Sequence, residues 1–453
     1  MINFETGCEN MNYIKSVLYS KNEYDKKILD IINFIITKLM SELESESNSS
    51  LTFKDKYINL FNYSAICLLL AEIKDVLNED IDWDGLVLNN MKKVKNILDE
   101  VGYYTLPRNF EGNSDVAFSI YALTKETKYY DVFLEGLNNL ILEQTKVKLK
   151  SLKQNNKEIL LEDYDLISGL SGICLYLIQF KSHKHIKKTI LEIIEWLILL
   201  MNEVNVDGYD VPMFYIKSEN QHYPNKDLFP NGSLNFSLSH GIAGVLATLS
   251  ICLKEEIEVQ GQRQCMKKIL DLLKNTIYIE NKKYCWPGIL DLKDYVNHNY
   301  RRFSNGASWC YGTPGIARAV FLAANELGDD EGKDLATQVM INICNMNYKQ
   351  LNLGSPIVCH GYAGLLACIY TMYLDTKNKI FKDAIFKYSN TIVSYFNTNN
   401  KYGFQDIIID KYSNNIIKED KVNFLEGNVG IALALLVTYK WDKPIWLRHM
   451  GLI

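Results

Sequence analysis

The feature that most constrains this chain is a repeat. Five segments share a small or polar lead-in, a Gly-x-x-Gly, and then an apolar run. They are Asp165-Leu-Ile-Ser-Gly-Leu-Ser-Gly172, Ser237-Leu-Ser-His-Gly-Ile-Ala-Gly244, Ser308-Trp-Cys-Tyr-Gly-Thr-Pro-Gly315, Ile357-Val-Cys-His-Gly-Tyr-Ala-Gly364 and Phe424-Leu-Glu-Gly-Asn-Val-Gly430. Two worn copies precede them, Asn62-Tyr-Ser-Ala65 and Ser119-Ile-Tyr-Ala122. Counted from positions 62, 119, 169, 241, 312, 361 and 427, the gaps are 57, 50, 72, 71, 49 and 66 residues. Each gap holds two helices and their connections. The runs after the glycines, such as Ile173–Phe180, Val245–Leu253, Ile316–Leu327 and Leu365–Leu374, are apolar nearly all round, as a helix covered on both sides must be. Between them lie amphipathic stretches suited to an outer layer: Ile186–Val204, Cys265–Thr276, Asp334–Tyr348 and Asp383–Asn397. This alternation predicts an all-α fold over residues 1–453 as one domain: an α/α toroid of seven inner and seven outer helices.

Composition closes off other classes. With 453 residues, 47% of them hydrophobic and only 8 prolines, the chain is neither disordered nor collagen-like. It carries 49 basic and 54 acidic residues, a net of −5, with no strongly basic block, so no nucleic-acid partner is expected. The most apolar stretches, Ala65–Leu70 and Thr189–Met201, are too short or are broken by Glu192 and Glu195, so no transmembrane segment is expected. Met1–Asn12 carries Glu5 and Glu9 and no apolar signal core, which points to the cytoplasm. Two stretches do not read as helix. Residues 207–236, with Gly208, Pro212, Pro224, Pro230 and Gly232, predict a β-containing insertion; Asn281–Ser308 is rich in turn residues.

A helix N-terminus presents free N–H groups and the positive end of the dipole. In a ring, the residues before each glycine collect on one face: Asp165, His240, Trp309, Cys310, Tyr311, Cys359, His360 and Glu426. Cys310, Cys359 and His360 offer two thiolates and an imidazole, which with one open position is a catalytic zinc pattern. The two cysteines stand 49 residues apart, so only the repeat can bring them together. Two thiolates neutralise Zn²⁺, a centre better suited to holding a third, nucleophilic thiolate than to strong Lewis-acid work. The other cysteines read as core. His240 occupies in its repeat the place that Tyr311 and His360 hold in theirs, and a histidine can give or take a proton near neutral pH. Asp165 either caps a helix start or, as a functional group, accepts the substrate thiol's proton or orients His240. Trp309 and Tyr311 either pack or line a substrate groove, and Glu426 reads as a solvated or structural group. His183, His185, His222, His298 and His449 lie outside the repeat positions and read as ordinary.

Ser-His-Gly-Ile-Ala-Gly, Trp-Cys-Tyr-Gly-Thr-Pro-Gly and Cys-His-Gly-Tyr-Ala-Gly, in that order, resemble the lanthionine synthetase C-like family, and Phe424–Gly430 fits its last repeat. The length resembles the stand-alone cyclases of class I lantibiotic biosynthesis. The resemblance implies one Zn²⁺ held by Cys310, Cys359 and His360. It implies addition of a substrate cysteine thiolate to dehydroalanine or dehydrobutyrine in the same precursor peptide, closing a (methyl)lanthionine ring. His240 maps onto the family's proton-handling histidine and Asp165 onto its acidic partner. Some members carry an arginine just before Trp-Cys; the nearest here are Arg301 and Arg302. The implied partners are a dehydrated precursor peptide with its leader, a dehydratase and an ABC exporter at the inner membrane face. Residues 207–236 are a candidate dock for the leader by strand addition. Against this stand a prenyltransferase-type zinc enzyme, an α/α-barrel glycosidase, and a non-catalytic binder of peptides or glutathione.

Overall fold

The computed structural model describes residues 21–45, 52–77, 81–102, 105–154, 158–221, 225–300, 306–409 and 415–453. Fourteen helices of eight residues or more run through them: α1 (Lys21–Ser45), α2 (Phe53–Ile73), α3 (Trp83–Val101), α4 (Asn113–Thr124), α5 (Asp131–Gln154), α6 (Leu170–Leu177), α7 (Lys184–Leu197), α8 (Ile242–Lys254), α9 (Gln262–Thr276), α10 (Thr313–Leu327), α11 (Asp330–Cys344), α12 (Tyr362–Thr376), α13 (Lys379–Ser394) and α14 (Asn428–Lys440). The even-numbered helices pack each on the next, and α14 packs back on α2, so seven inner helices close a ring. The odd-numbered helices lie outside it. The N-terminal helix α1 covers α14 and completes the outer layer, with Tyr24 Oη 2.8 Å from Thr438 Oγ1. The expected toroid of seven and seven is the observed fold.

Burial explains the layering. Helix α8 is buried at every residue from Ile242 to Leu253, whereas α9 buries one stripe, including Cys265, Met266, Ile269, Leu270 and Leu273. That i, i+3, i+4 spacing is one face of a helix. Helix starts also differ, though not strictly by layer, since the outer helices α7 and α9 have no side-chain cap. Helices α2, α3, α11 and α13 begin at side-chain caps, Thr52, Asp82, Asp329 and Asn378. Inner helices α4 to α14 begin at a glycine with no side-chain cap.

Close approach, not an unusual dihedral, explains the second glycine of each pair. A Cβ at Gly172 would lie 2.0 Å from the Leu166 carbonyl oxygen, and one at Gly364 would lie 2.0 Å from that of Val358. The lead-in folds back so tightly over the first helical turn that only hydrogen fits there.

The structure corrects the two worn copies. Asn62–Ala65 lies inside α2, and Ser119–Ala122 lies inside α4. The true sixth lead-in is Asn109-Phe-Glu-Gly112, which carries Asp115 where the other repeats carry their second glycine. Nor is β structure confined to one insertion. Four two-stranded antiparallel sheets occur among the described residues: β1 (Glu203–Val206) with β2 (Tyr209–Pro212), β3 (Ser233–Asn235) with β6 (Ile289–Asp291), β4 (Tyr278–Glu280) with β5 (Lys283–Cys285), and β7 (Asp406–Ile409) with β8 (Ile416–Glu419). The 207–236 stretch therefore contributes β2 to a hairpin that starts before it, and β3 to a sheet completed more than fifty residues later.

Candidate functional site

The lead-ins are stitched into a belt by backbone hydrogen bonds. Asn109 N and Phe110 N donate to Ile167 O (3.0 and 3.1 Å), and Leu166 N donates to Ser239 O (3.0 Å). Leu238 N and Ser239 N donate to Cys310 O (both 3.1 Å), Cys310 N to Cys359 O (3.2 Å), and Cys359 N to Leu425 O (2.8 Å). The Phe110 and Phe424 rings stack at 5.9 Å where the last lead-in meets the first. Each repeat thus places equivalent residues at equivalent points. Leu166, Leu238, Trp309 and Val358 turn inward and are buried, whereas Phe424, also buried, lines the cavity described next. The next residue in each, Ile167, Ser239, Cys310, Cys359 and Leu425, lines a cavity of about 240 Å³.

This belt brings Cys310 and Cys359 together across 49 residues of sequence. The neighbouring Cys359 thiol holds the Cys310 thiol below its ordinary value, against the upward push of burial, with further help from Ser308, whose Oγ is 3.6 Å away. His240 lines the same cavity, with its side chain 33% exposed. Its Nδ1 lies 2.5 Å from Asp165 Oδ2. Burial opposes the imidazolium, but the Asp165 hydrogen bond and charge outweigh it, so the His240 pKa is raised above the ordinary value. Nε2 is left for chemistry.

The two oxygens of Asp165 make different contacts. Oδ1 accepts from Ser168 N and Gly169 N, both at 2.6 Å. Ser237 and Asn423 do the same local work in their own lead-ins, accepting from His240 N and Glu426 N. Only Asp165 has a second oxygen to reach the neighbouring repeat, and at 1% exposure it is fixed there.

Tyr311 also lines the cavity, its ring 5.8 Å from that of His240. Burial pushes its pKa up, so it stays a neutral phenol. Trp309 does not reach the cavity. It is 0% exposed at the hub, and Nε1 donates to Met450 O at 3.2 Å. Full burial and the Met450 contact make it a packing residue and not part of a substrate groove.

His360 is the exception among the residues directly before the first glycine. Ser168, His240, Tyr311 and Glu426 line the cavity, but His360 does not. Its Nε2 is directed to Asp406, 3.7 Å from Oδ1, and its side chain is 41% exposed. Among the described residues, no three His, Cys, Asp or Glu side chains are gathered as a ready metal cage. The donor chemistry nevertheless fits zinc: two thiols from adjoining lead-ins line one cavity, and an imidazole belongs to the residue next to one of them.

The sequence pattern missed a further wall of the cavity: Arg108, Phe110, Glu111 and Asp115. The signal was the Asn-Phe-Glu-Gly lead-in, hidden because Asp115 replaces the second glycine. Burial, with Asp115 and Glu426 nearby, pushes the Glu111 carboxyl up. Below this wall His449 is buried and stacked on Phe118 (4.2 Å), with Nε2 3.8 Å from Asp115 Oδ1 and no hydrogen bond at either nitrogen. Glu426, expected to be solvated or structural, lines the cavity and bonds Lys421 Nζ at 2.9 Å. Arg301, Arg302 and His222 lie outside the described residues.

The sequence profile of the lanthionine synthetase C-like protein family matches residues 63–450, most of the chain. The chain belongs to that family. It is also similar to the nisin biosynthesis protein NisC of Lactococcus lactis subsp. lactis, with 28% identity over 375 residues, 82% of each chain. The solved structure of nisin cyclase superposes with a TM-score of 0.76 at 23% identity, covering 93% of this chain and 96% of that one. In this lanthionine synthetase C-like chain, the cavity is lined by His240, Cys310, Tyr311, Cys359 and Glu426 among the chemically loaded lead-in residues, while Asp165 is buried behind His240 and Trp309 and His360 lie elsewhere.

Proposed function

We propose that the chain is a peptide cyclase that closes lanthionine or methyllanthionine rings in a lantibiotic precursor. The observation that supports this best is one cavity lined by both Cys310 and Cys359 and by His240, which Asp165 holds from behind. Cys310, Cys359 and His360 are the residues that would hold zinc. When bound, that ion supplies the positive charge that keeps a substrate cysteine as thiolate near neutral pH.

The rest falls to the chain's own groups. His240, anchored through Nδ1, presents Nε2 to the cavity. As the substrate sulfur forms its bond to the β-carbon of dehydroalanine or dehydrobutyrine, the C=C π pair moves to an enolate. Nε2–H then protonates the α-carbon, and the proton lost by the thiol resets the imidazole. Asp165 holds the ring in one tautomer and favours the protonated form. Tyr311, a neutral donor, helps position the peptide. An open cavity ringed by loops suits a flexible peptide whose rings close one after another.

The dehydro residues require a prior dehydratase, so a dehydrated precursor with its leader is the partner in this reading. An exporter complex and a peripheral seat at the inner membrane face belong to the same reading; no helix among the described residues is long and apolar enough to cross a membrane. The test is incubation with a dehydrated, cysteine-bearing precursor, followed by thiol alkylation and mass spectrometry. Ring closure is an isomerisation, so the peptide should keep its mass and lose its alkylatable thiols. Cys310→Ala should leave every thiol alkylatable. A wild-type protein that binds the peptide without consuming thiols would defeat the reading in favour of a binder.

A further inference from the structure

The side chain left unexplained by the cavity is His360, and what holds it is specific. Asp406 opens strand β7, and its side chain is wholly buried. Its Oδ1 accepts from Ser355 Oγ at 2.9 Å, and its Oδ2 takes Lys421 Nζ at 3.0 Å. Lys421 also reaches Glu419 (2.8 Å) and Glu426 (2.9 Å). A buried carboxylate is costly unless paired and hydrogen-bonded, and here both oxygens are engaged. The remaining neighbour of Oδ1 is His360 Nε2, at 3.7 Å.

A histidine that ligates a metal uses one ring nitrogen and commonly offers the other N–H to a carboxylate, which fixes the tautomer and raises the basicity of the ligating nitrogen. Here Nε2 is the nitrogen turned to the carboxylate. Nδ1 is therefore the one left for the thiols, and it is also the ring nitrogen nearer the backbone that His360 shares with Cys359. We propose that Asp406 is a positioning residue for the zinc site, holding His360 by Nε2–H so that Nδ1 is the ligating nitrogen. This rests on the zinc reading of the preceding subsection. It also accounts for the β7–β8 hairpin, whose first residue carries the carboxylate and is followed, just after β8, by the Lys421 that neutralises it.

Two measurements test it on the full chain. The first is zinc content, with affinity by competition against a chromophoric chelator. Asp406→Asn should weaken zinc binding about 10- to 100-fold. Ser355→Ala, which removes a neighbouring contact of Asp406 but keeps the carboxylate, should change it much less. Wild-type affinity in a folded Asp406→Asn protein, or an equal loss in Ser355→Ala, overturns the proposal. The second needs no variant: ¹⁵N NMR of the histidine rings in the zinc-loaded wild type. The His360 signals should show a metal at Nδ1 and a proton on Nε2, and a metal at Nε2 overturns the proposal even if Asp406→Asn fails to fold. A wild-type chain that takes up no zinc defeats this proposal and the zinc reading together. A zinc-binding chain indifferent to Asp406 defeats this proposal alone.

Discussion

His240 and His360 occupy the same position in two repeats, each directly before the first glycine, yet they face different ways. His240 turns into the cavity and meets a carboxylate at 2.5 Å from the preceding repeat's lead-in. His360 turns toward β7 and stands 3.7 Å from a carboxylate outside the belt. The backbone is the same in both: Gly241 and Gly361 start their helices at φ −122° and −124°. The repeat therefore decides where a side chain is rooted, and the neighbouring carboxylate decides where it points. A site built this way gives equivalent residues unlike roles without altering the scaffold.

The sharpest break of that comparison is to remove each ring. His240→Ala should cut ring closure by about 10²- to 10⁴-fold, the usual contribution of a positioned acid or base, and leave zinc content unchanged. His360→Ala should instead deplete zinc. Metal analysis alongside thiol alkylation separates the two, and equal zinc loss in both variants would mean that the two histidines share one role.

Much of this was legible in the sequence because the repeat carries its own physics. A Gly-x-x-Gly before an apolar run marks the point where a carbonyl sits against the first helical turn. No larger residue fits at Gly364, and the motif therefore locates Cys359 to the residue. The first two repeats were misplaced for the same reason: α2 starts from a Thr52 capping box and α4 tolerates Asp115, so neither shows the glycine pair. Helix burial still gave the layers. Side-chain direction was not legible. Trp309 and Tyr311 flank Cys310 symmetrically in the sequence, and only the hub beneath the belt sends one inward. The Asp406 carboxylate was invisible as well, since it comes from a hairpin outside the repeat.

A middle-sized effect should come from Asp165→Asn. The carboxylate raises the His240 pKa, so its loss lowers it. Where protonated His240 is the required form, activity falls as pH rises through that pKa. The falling limb of the kcat/KM profile should therefore move to lower pH in Asp165→Asn, with zinc content unchanged. An asparagine enzyme whose limb stays in place would show that the 2.5 Å contact does not govern the proton. Because Oδ1 also accepts from Ser168 N and Gly169 N, a bond an amide oxygen can keep, the lead-in should hold its shape.

The smallest effects fall on the two aromatics beside Cys310, and they should be of opposite kinds. Trp309→Phe removes the donor to the buried Met450 carbonyl and leaves some space at the hub. Stranding one buried acceptor costs about 1–3 kcal/mol, to be read as a lowered denaturant midpoint. The cavity wall is untouched, so the surviving folded enzyme should close rings at the wild-type rate. Tyr311→Phe keeps the ring and loses only the hydroxyl. Its unfolding midpoint should move less than that of Trp309→Phe, while KM for the peptide rises. If Trp309→Phe altered KM and Tyr311→Phe did not, the inward and outward assignments of these two positions would have to be exchanged, and with them the rule that neighbours, not repeat position, aim the side chain.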